Sequence, residues 1–165
     1  MSFKAFFAAA LLVASPALAG EIEITDAYAR SASPVAKTGA AFLVIENHGA
    51  ADRLLSVASP AAQLVQLHDH VDAGDGVLQM RHSEDGFELP EEGVLTLERS
   101  GKHVMFMGLT QPFREGESVP LTLTFEQAGD VVIEVPVDLQ RSETGGHDHA
   151  GHAGQSGHSG HGSKE

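Results

Sequence analysis

An all-β fold, an antiparallel Greek-key sandwich or barrel, is expected for residues 20–137 on three grounds. Short segments alternate apolar and polar residues, so that every second side chain faces the same side of a strand. Turn-forming clusters such as "AGDG" and "PEEG" separate these segments. Long apolar repeats with a period of 3.6 residues, which a helix would require, are missing from this part of the sequence.

The first five strands are predicted from alternation bounded by turns. "EIEITDAYA" (21–29) and "AAFLVIENH" (40–48) carry the β-branched and aromatic residues that strands favour, and "RLLSVAS" (53–59) ends at Ser-Pro. "QLVQLHDH" (63–70) and "GVLQMRH" (76–82) flank the short turn sequence "VDAGD". This last pair therefore predicts a β-hairpin.

Four further strands follow the same pattern: "GVLTLER" (93–99), "KHVMFMGL" (102–109), "VPLTLTFEQ" (119–127) and "VVIEVPV" (131–137). The "EDG", "PEEG" and "REGE" sequences supply turns around them. Roughly 120 residues are sufficient for a sandwich core without disulfide or metal support. The sequence thus predicts one β-sandwich domain at 20–137.

Both ends of the chain differ from this domain. Residues 1–19 combine Lys4, an apolar run and a terminal "ALA", which predicts a signal peptide cleaved after Ala19 and export to the periplasm. Residues 138–165 are mostly Gly, His, Ser and Ala, and so predict a disordered His-rich tail. We expect a monomer with no membrane insertion after signal cleavage.

Charge and cysteine content exclude several classes of function. The formal net charge is −13, and removal of Lys4 with the signal gives 9 − 23 = −14, which disfavours nucleic acid and anionic lipid as partners. The chain has no cysteine, which excludes disulfides, thiolate metal sites, a thiol nucleophile and a lipid anchor on cysteine. Nucleophile-elbow, phosphate-loop and dinucleotide motifs are also missing, and we expect no enzyme activity.

The segment "KHVMFMGL" contains a candidate metal-binding pattern. On a strand, His103, Met105 and Met107 share one face, whereas Val104 and Phe106 face the other way into the core. The alternative is an ordinary core strand, because methionine also fills irregular cores. We interpret Met107 as packing support.

The hairpin upstream can supply a second His–Met pair. A turn centred on Gly74 would place His68 directly opposite Met80 and His70 opposite Leu78. Two imidazoles with two thioethers form a soft, neutral ligand set that favours Cu(I) over Zn(II), Mg(II) or Ca(II). We therefore predict a copper site from this hairpin together with His103 and Met105.

The segments "VQLHDH", "GVLQMR", "KHVMFMGLTQPFREGESVPLTLTFEQAG" and "VVIEVPV" resemble the periplasmic copper chaperones of the PCuAC family. This resemblance implies a cupredoxin-like (Ig-like) fold and Cu(I) ligation by His68, Met80, His103 and Met105. It also implies delivery of copper for the CuA centre of cytochrome c oxidase, with its copper-bearing subunit or another periplasmic copper protein as the recipient. The chain departs from the family at His70, where methionine is common. We interpret His70 first as a surface residue, and otherwise as an alternative ligand or as an extra donor that favours Cu(II).

The tail carries half of the histidines of the chain: His147, His149, His152, His158 and His161. Imidazoles on a flexible segment suit Cu(II), Ni(II) and Zn(II), with Cu(II) bound most tightly. We predict that the tail captures Cu(II) while the folded domain holds Cu(I). Two alternatives stay open: an exported Zn/Ni/Cu buffer that acts through the tail on an inert sandwich, and an adhesion module whose methionines belong to the core.

Overall fold

A computed structural model describes residues 22–74 and 76–141, and these form ten β-strands. The strands are β1 (Ile22–Ser31), β2 (Thr38–Asn47), β3 (Asp52–Ala58), β4 (Ala62–Asp72), β5 (Leu78–His82), β6 (Phe87–Leu89), β7 (Val94–Leu97), β8 (His103–Leu109), β9 (Ser118–Phe125) and β10 (Asp130–Pro136). The predicted all-β class is confirmed, and each of the nine predicted segments contains a strand. The three-residue strand β6 was not predicted. No helix suited to crossing a bilayer occurs in this described part of the chain.

The strands form two antiparallel sheets. The first has the order β1-β2-β8-β4-β5, with β7 pairing the other end of β2, and the second has the order β10-β9-β3-β6. Strands β4 and β8 are separated by thirty residues of chain but pair directly. This non-local pairing positions the candidate metal ligands, since it joins the histidine of "KHVMFMGL" to the hairpin.

The core lies between the sheets and is built by alternation along each strand. On β8, Val104 and Phe106 are fully buried, as the sequence predicted. The Phe106 ring packs edge-on against Phe113, with centroids 5.5 Å apart and planes at 79°. Alternate residues of β9, including Leu121 and Leu123, face them from the second sheet. The opposite face of β8 is therefore free to carry polar and metal-binding side chains.

The β4–β5 hairpin has a different register from the predicted one. His68 pairs with His82 and His70 pairs with Met80, so the predicted His68–Met80 and His70–Leu78 pairs are wrong. The Ala73 amide donates to the Val77 carbonyl oxygen at 2.8 Å, which closes the loop one residue later than expected. Every pair consequently shifts by two positions. Because the shift is even, His68 and Met80 still share a face.

The described chain continues past β10 along the edge of the first sheet. Val137 bridges Ala29 of β1, and Leu139 packs against the core. The Arg141 guanidinium lies over the Tyr28 ring, 4.1 Å from its centroid, and bonds both carboxylate oxygens of Asp26. The residues just before the His-rich segment are thus held beside β1.

Candidate metal centre

The pairing of β4 with β8 creates a row of side chains on the outer face of the first sheet. His68 lies directly opposite His103, and Gln66 lies opposite Met105. Their neighbours Leu67 and Val104 point into the core, so the four side chains point away from it. His68 is therefore a neighbour, on one surface, of His103 and Met105, although it is far from both in sequence.

His103 is held in one orientation by the turn before β8. The residue is only 3% exposed, and its Nδ1 lies 2.9 Å from the carbonyl oxygen of Gly101. A carbonyl oxygen only accepts, so Nδ1 carries the proton and the lone pair is on Nε2. Metal-bound histidines are commonly oriented in this way. Burial is the largest influence on the pKa of His103 and lowers it. The hydrogen bond to the Gly101 carbonyl and the charge of Asp69 raise the pKa and the charge of His70 lowers it, but the net pKa stays below its usual value. The ring is therefore neutral at pH 7 and able to donate its lone pair.

His68 has a buried nitrogen without a partner. Its Nε2 lies 3.4 Å from Gln66 Oε1, an acceptor, which leaves the lone pair on Nδ1. Nδ1 is buried and has no hydrogen-bond partner among the described residues. Burial lowers the pKa of His68, and the charges of His103, His82 and His70 lower it further. A buried, neutral imidazole nitrogen without a partner fits a metal ligand better than it fits a structural role.

The two methionines lie on either side of His68. Met105 follows His103 by two residues on β8 and is partly buried, whereas Met80 lies on the edge strand β5 and is 49% exposed. Each is a diagonal cross-strand neighbour of His68, which corresponds to a Cα separation of about 7–8 Å. The structure thus places all four predicted ligands on one face, with Met80 outermost. The ligand set itself stays a prediction.

Two further histidines join this face. The His70 ring lies 5.3 Å from that of His103, and its Nδ1 is 3.1 Å from the same Gly101 oxygen. The His82 ring lies 5.9 Å from that of His68, and its Nδ1 accepts a long hydrogen bond from Gln66. His82 ends β5 as expected, but its approach to His68 was not predicted because it depends on the hairpin register. We call His68, His70, His82 and His103 the imidazole cluster.

A separate group lies near the far end of β2. Single donor atoms of Glu23, Glu46 and His48 all lie within 4.8 Å of one another, the only such group of His, Cys, Asp and Glu donors in the described residues. The His48 and Glu23 side chains are 50% and 62% exposed and form an ion pair at 3.4 Å. The donor atoms of the imidazole cluster do not all lie within this 4.8 Å distance of one another, so its rings would have to rotate to bind one ion. The predicted signal peptide and all five tail histidines lie outside the described residues.

Comparison of the sequence with known proteins finds a matching family and a similar protein. The family model "Putative lipoprotein LpqE-like" matches residues 22–137. "Putative lipoprotein Lxx21020" of Leifsonia xyli subsp. xyli (strain CTCB07) is 30% identical over 117 residues, which cover 70% of this chain and 69% of that protein.

Solved structures also match the domain. The copper-bound PCuAC domain from PmoF2 is 26% identical, with a TM-score of 0.59 over 73% of this chain and 94% of that domain. The solution structure of CuI-DR1885 from Deinococcus radiodurans is 29% identical, with a TM-score of 0.57 over 74% of this chain and 83% of that one. These likenesses confirm the predicted fold class and indicate a PCuAC-like domain.

Proposed function

This chain belongs to the LpqE-like family, and from its PCuAC-like fold we propose that it is a copper-binding chaperone of the periplasm rather than an enzyme. It holds Cu(I) through His68, His103, Met105 and Met80 and transfers the ion to another protein. The observation that carries this proposal is the buried Nδ1 of His68, which has no partner within residues 22–74 and 76–141 and lies opposite the oriented ring of His103.

The donor set suits Cu(I) for chemical reasons. Thioether sulfur is soft and neutral, and imidazole binds in its neutral form, so the site adds no negative charge around a monovalent ion. Neither sulfur needs deprotonation, and neither forms a disulfide in an oxidising compartment. Such a site can retain Cu(I) and still yield it to stronger ligands.

The position of Met80 supports transfer. It lies on β5, an edge strand whose residues are all exposed, so a partner can reach it without unfolding the domain. The net charge of −13 favours a recipient with a basic docking surface. We propose the copper-bearing subunit of cytochrome c oxidase, at its CuA centre, or another periplasmic copper protein as that recipient.

The tail is proposed to capture Cu(II) and bring it to the folded site. Arg141 stacks on Tyr28, Tyr28 lies 5.1 Å from Phe42, and Phe42 lies 6.2 Å from His103. His147 follows Arg141 by six residues, which can span about 20 Å when extended. This reach is comparable with the stacked path of 4.1, 5.1 and 6.2 Å together with the length of the Arg141 side chain. Tethering from Arg141 therefore keeps captured copper at high local concentration near the site.

Competition titration with a Cu(I) chelator tests the folded site. His68→Ala, Met80→Leu and Met105→Leu should each weaken Cu(I) binding at least about tenfold, since even the loss of an outer-shell partner costs about 10–100-fold in metal affinity. Met107→Leu is the matched control, because Met107 shares the strand and the face but lies opposite Leu64, away from His68. Unchanged affinity in all three variants would instead favour the divalent-metal buffer.

A second titration tests the tail. Deletion of residues 147–165 should lower the number of Cu(II) ions bound while leaving Cu(I) affinity unchanged. An undiminished Cu(II) stoichiometry would remove the tail from the mechanism. Lost Cu(I) binding would show that the folded site depends on the tail.

A further inference from the structure

We infer that the imidazole cluster is a second, all-nitrogen ligand set that binds Cu(II) within the folded domain. This inference rests on the proposed function only in assigning copper to this face. His70 and His82 are its distinctive members, since neither belongs to the proposed Cu(I) set.

The spacing of the rings suits a shared ion. Consecutive centroids in the order His70, His103, His68, His82 are separated by 5.3, 5.9 and 5.9 Å. An imidazole nitrogen lies about 2.0–2.1 Å from a metal ion and about 1.1 Å from its own ring centre, so two neighbouring rings at the right angle of tetragonal Cu(II) have centroids about 4.5 Å apart. Rotation of these side chains can therefore bring the rings to the distances that coordination of one ion requires.

The hydrogen bonds leave lone pairs available for this purpose. Both His70 and His103 direct Nδ1 to the Gly101 carbonyl oxygen, which leaves the lone pair of each ring on Nε2. His68 offers its buried Nδ1, which has no partner in the described structure. Three rings from two strands thus have a free lone pair, and two of them are oriented by one backbone oxygen. His82 would join them by exchanging the 3.4 Å hydrogen bond that its Nδ1 accepts from Gln66 for a bond to the ion.

The chemistry of the donors selects the ion. Imidazole nitrogens without thiolate or carboxylate ligands favour Cu(II) above other first-row divalent ions, following the Irving–Williams order. Thioethers favour Cu(I), so the same face offers nitrogen donors from β4, β5 and β8 and sulfur donors on both sides of His68. The oxidation state of copper then decides which side chains bind it, and His68 and His103 serve both sets.

The test uses the full chain with its five tail histidines replaced by asparagine, so that tail binding does not mask the domain. Cu(II) is added, and affinity is measured by chelator competition with nitrogen hyperfine structure read by electron paramagnetic resonance. We expect one bound Cu(II) with at least three nitrogen ligands. Absence of Cu(II) binding in this variant would overturn the inference.

Further substitutions in this background identify the ligands. His70→Asn and His82→Asn should each weaken Cu(II) binding at least tenfold and leave Cu(I) affinity within twofold. His48→Asn tests the rival group, because His48 follows β2 beside Glu23 and Glu46 and outside the cluster. We expect Cu(II) affinity to be unchanged in this variant, and a loss would place the ion at that group and refute the assignment. Unchanged Cu(II) affinity in both the His70 and His82 variants would refute the assignment.

The two proposals fail in distinguishable ways. Met105→Leu should weaken Cu(I) binding without changing Cu(II) binding. If Cu(II) binding is missing while Cu(I) binding responds to Met105, only the inference fails. If Met105→Leu leaves Cu(I) affinity unchanged while His70→Asn weakens Cu(II) binding, only the proposed function fails.

Discussion

Replacement of Phe106 by alanine should strongly destabilise the domain. Phe106 is fully buried between the sheets and packs edge-on against Phe113 at 5.5 Å. Truncation of a buried Phe to Ala lowers the free energy of unfolding by about 3–5 kcal/mol. Because Phe106→Ala also removes an aromatic pair, we expect a loss of about 4 kcal/mol. For about 120 residues, an unfolding entropy of about 2.1 cal/mol/K per residue gives a fall in Tm of about 16 °C.

Thermal unfolding of the copper-free protein, followed by circular dichroism, measures this change. Val132→Ala is the control, because Val132 is apolar but 68% exposed on the second sheet and should cost under about 0.5 kcal/mol. A loss below about 1.5 kcal/mol for Phe106→Ala would refute the assignment of Phe106 to the core. It would also undermine the alternation that turns His103 and Met105 outward.

Two further predictions concern backbone and charge. Gly86→Ala should cost about 2 kcal/mol more stability in urea unfolding than Gly116→Ala. Both glycines have positive φ, but of these two only Gly86 would place an added Cβ against a backbone atom, the Leu54 carbonyl oxygen. Equal losses would contradict this reasoning. The free energy of unfolding of the copper-free protein should fall as pH drops below about 6.5. Burial lowers the pKa of His68 and His103 below the value of 6.5 that a histidine has in the unfolded chain. The unfolded state therefore binds more protons than the native state as the pH falls, and acid favours unfolding. The loss should stop below the folded pKa values, and His103→Asn should flatten the dependence measured by urea midpoints; an unaltered slope would assign the effect to other groups.

The sequence was sufficient for local structure but not for pairing. Alternation predicted the faces of β8 correctly, because side-chain direction follows from strand geometry alone. The segment "FEL" was missed because three residues are too short to show a period. The hairpin register was wrong because Gly74 and Gly76 both adopt positive φ, and composition does not specify which residue centres such a loop.

The candidate site could be predicted only in part for the same reason. His68 and His103 were both identified, but their direct contact depends on β4 pairing with β8, a choice made by the packing of the whole sandwich. The approach of His82 to His68 required the true register. The unpartnered Nδ1 of His68 has no signature in sequence, since it is defined by the side chains around it.

The Gly101 carbonyl oxygen orients two imidazoles at once, and this has a consequence for the proposed transfer of copper. The turn that carries it is closed by a hydrogen bond from the Glu98 amide to the Lys102 carbonyl, and its Ser100 is exposed. A recipient protein that displaced this turn would rotate His70 and His103 together. In the proposed Cu(I) site the His103 contact would then weaken, and the ion would be left on His68 and on two sulfur ligands that exchange readily.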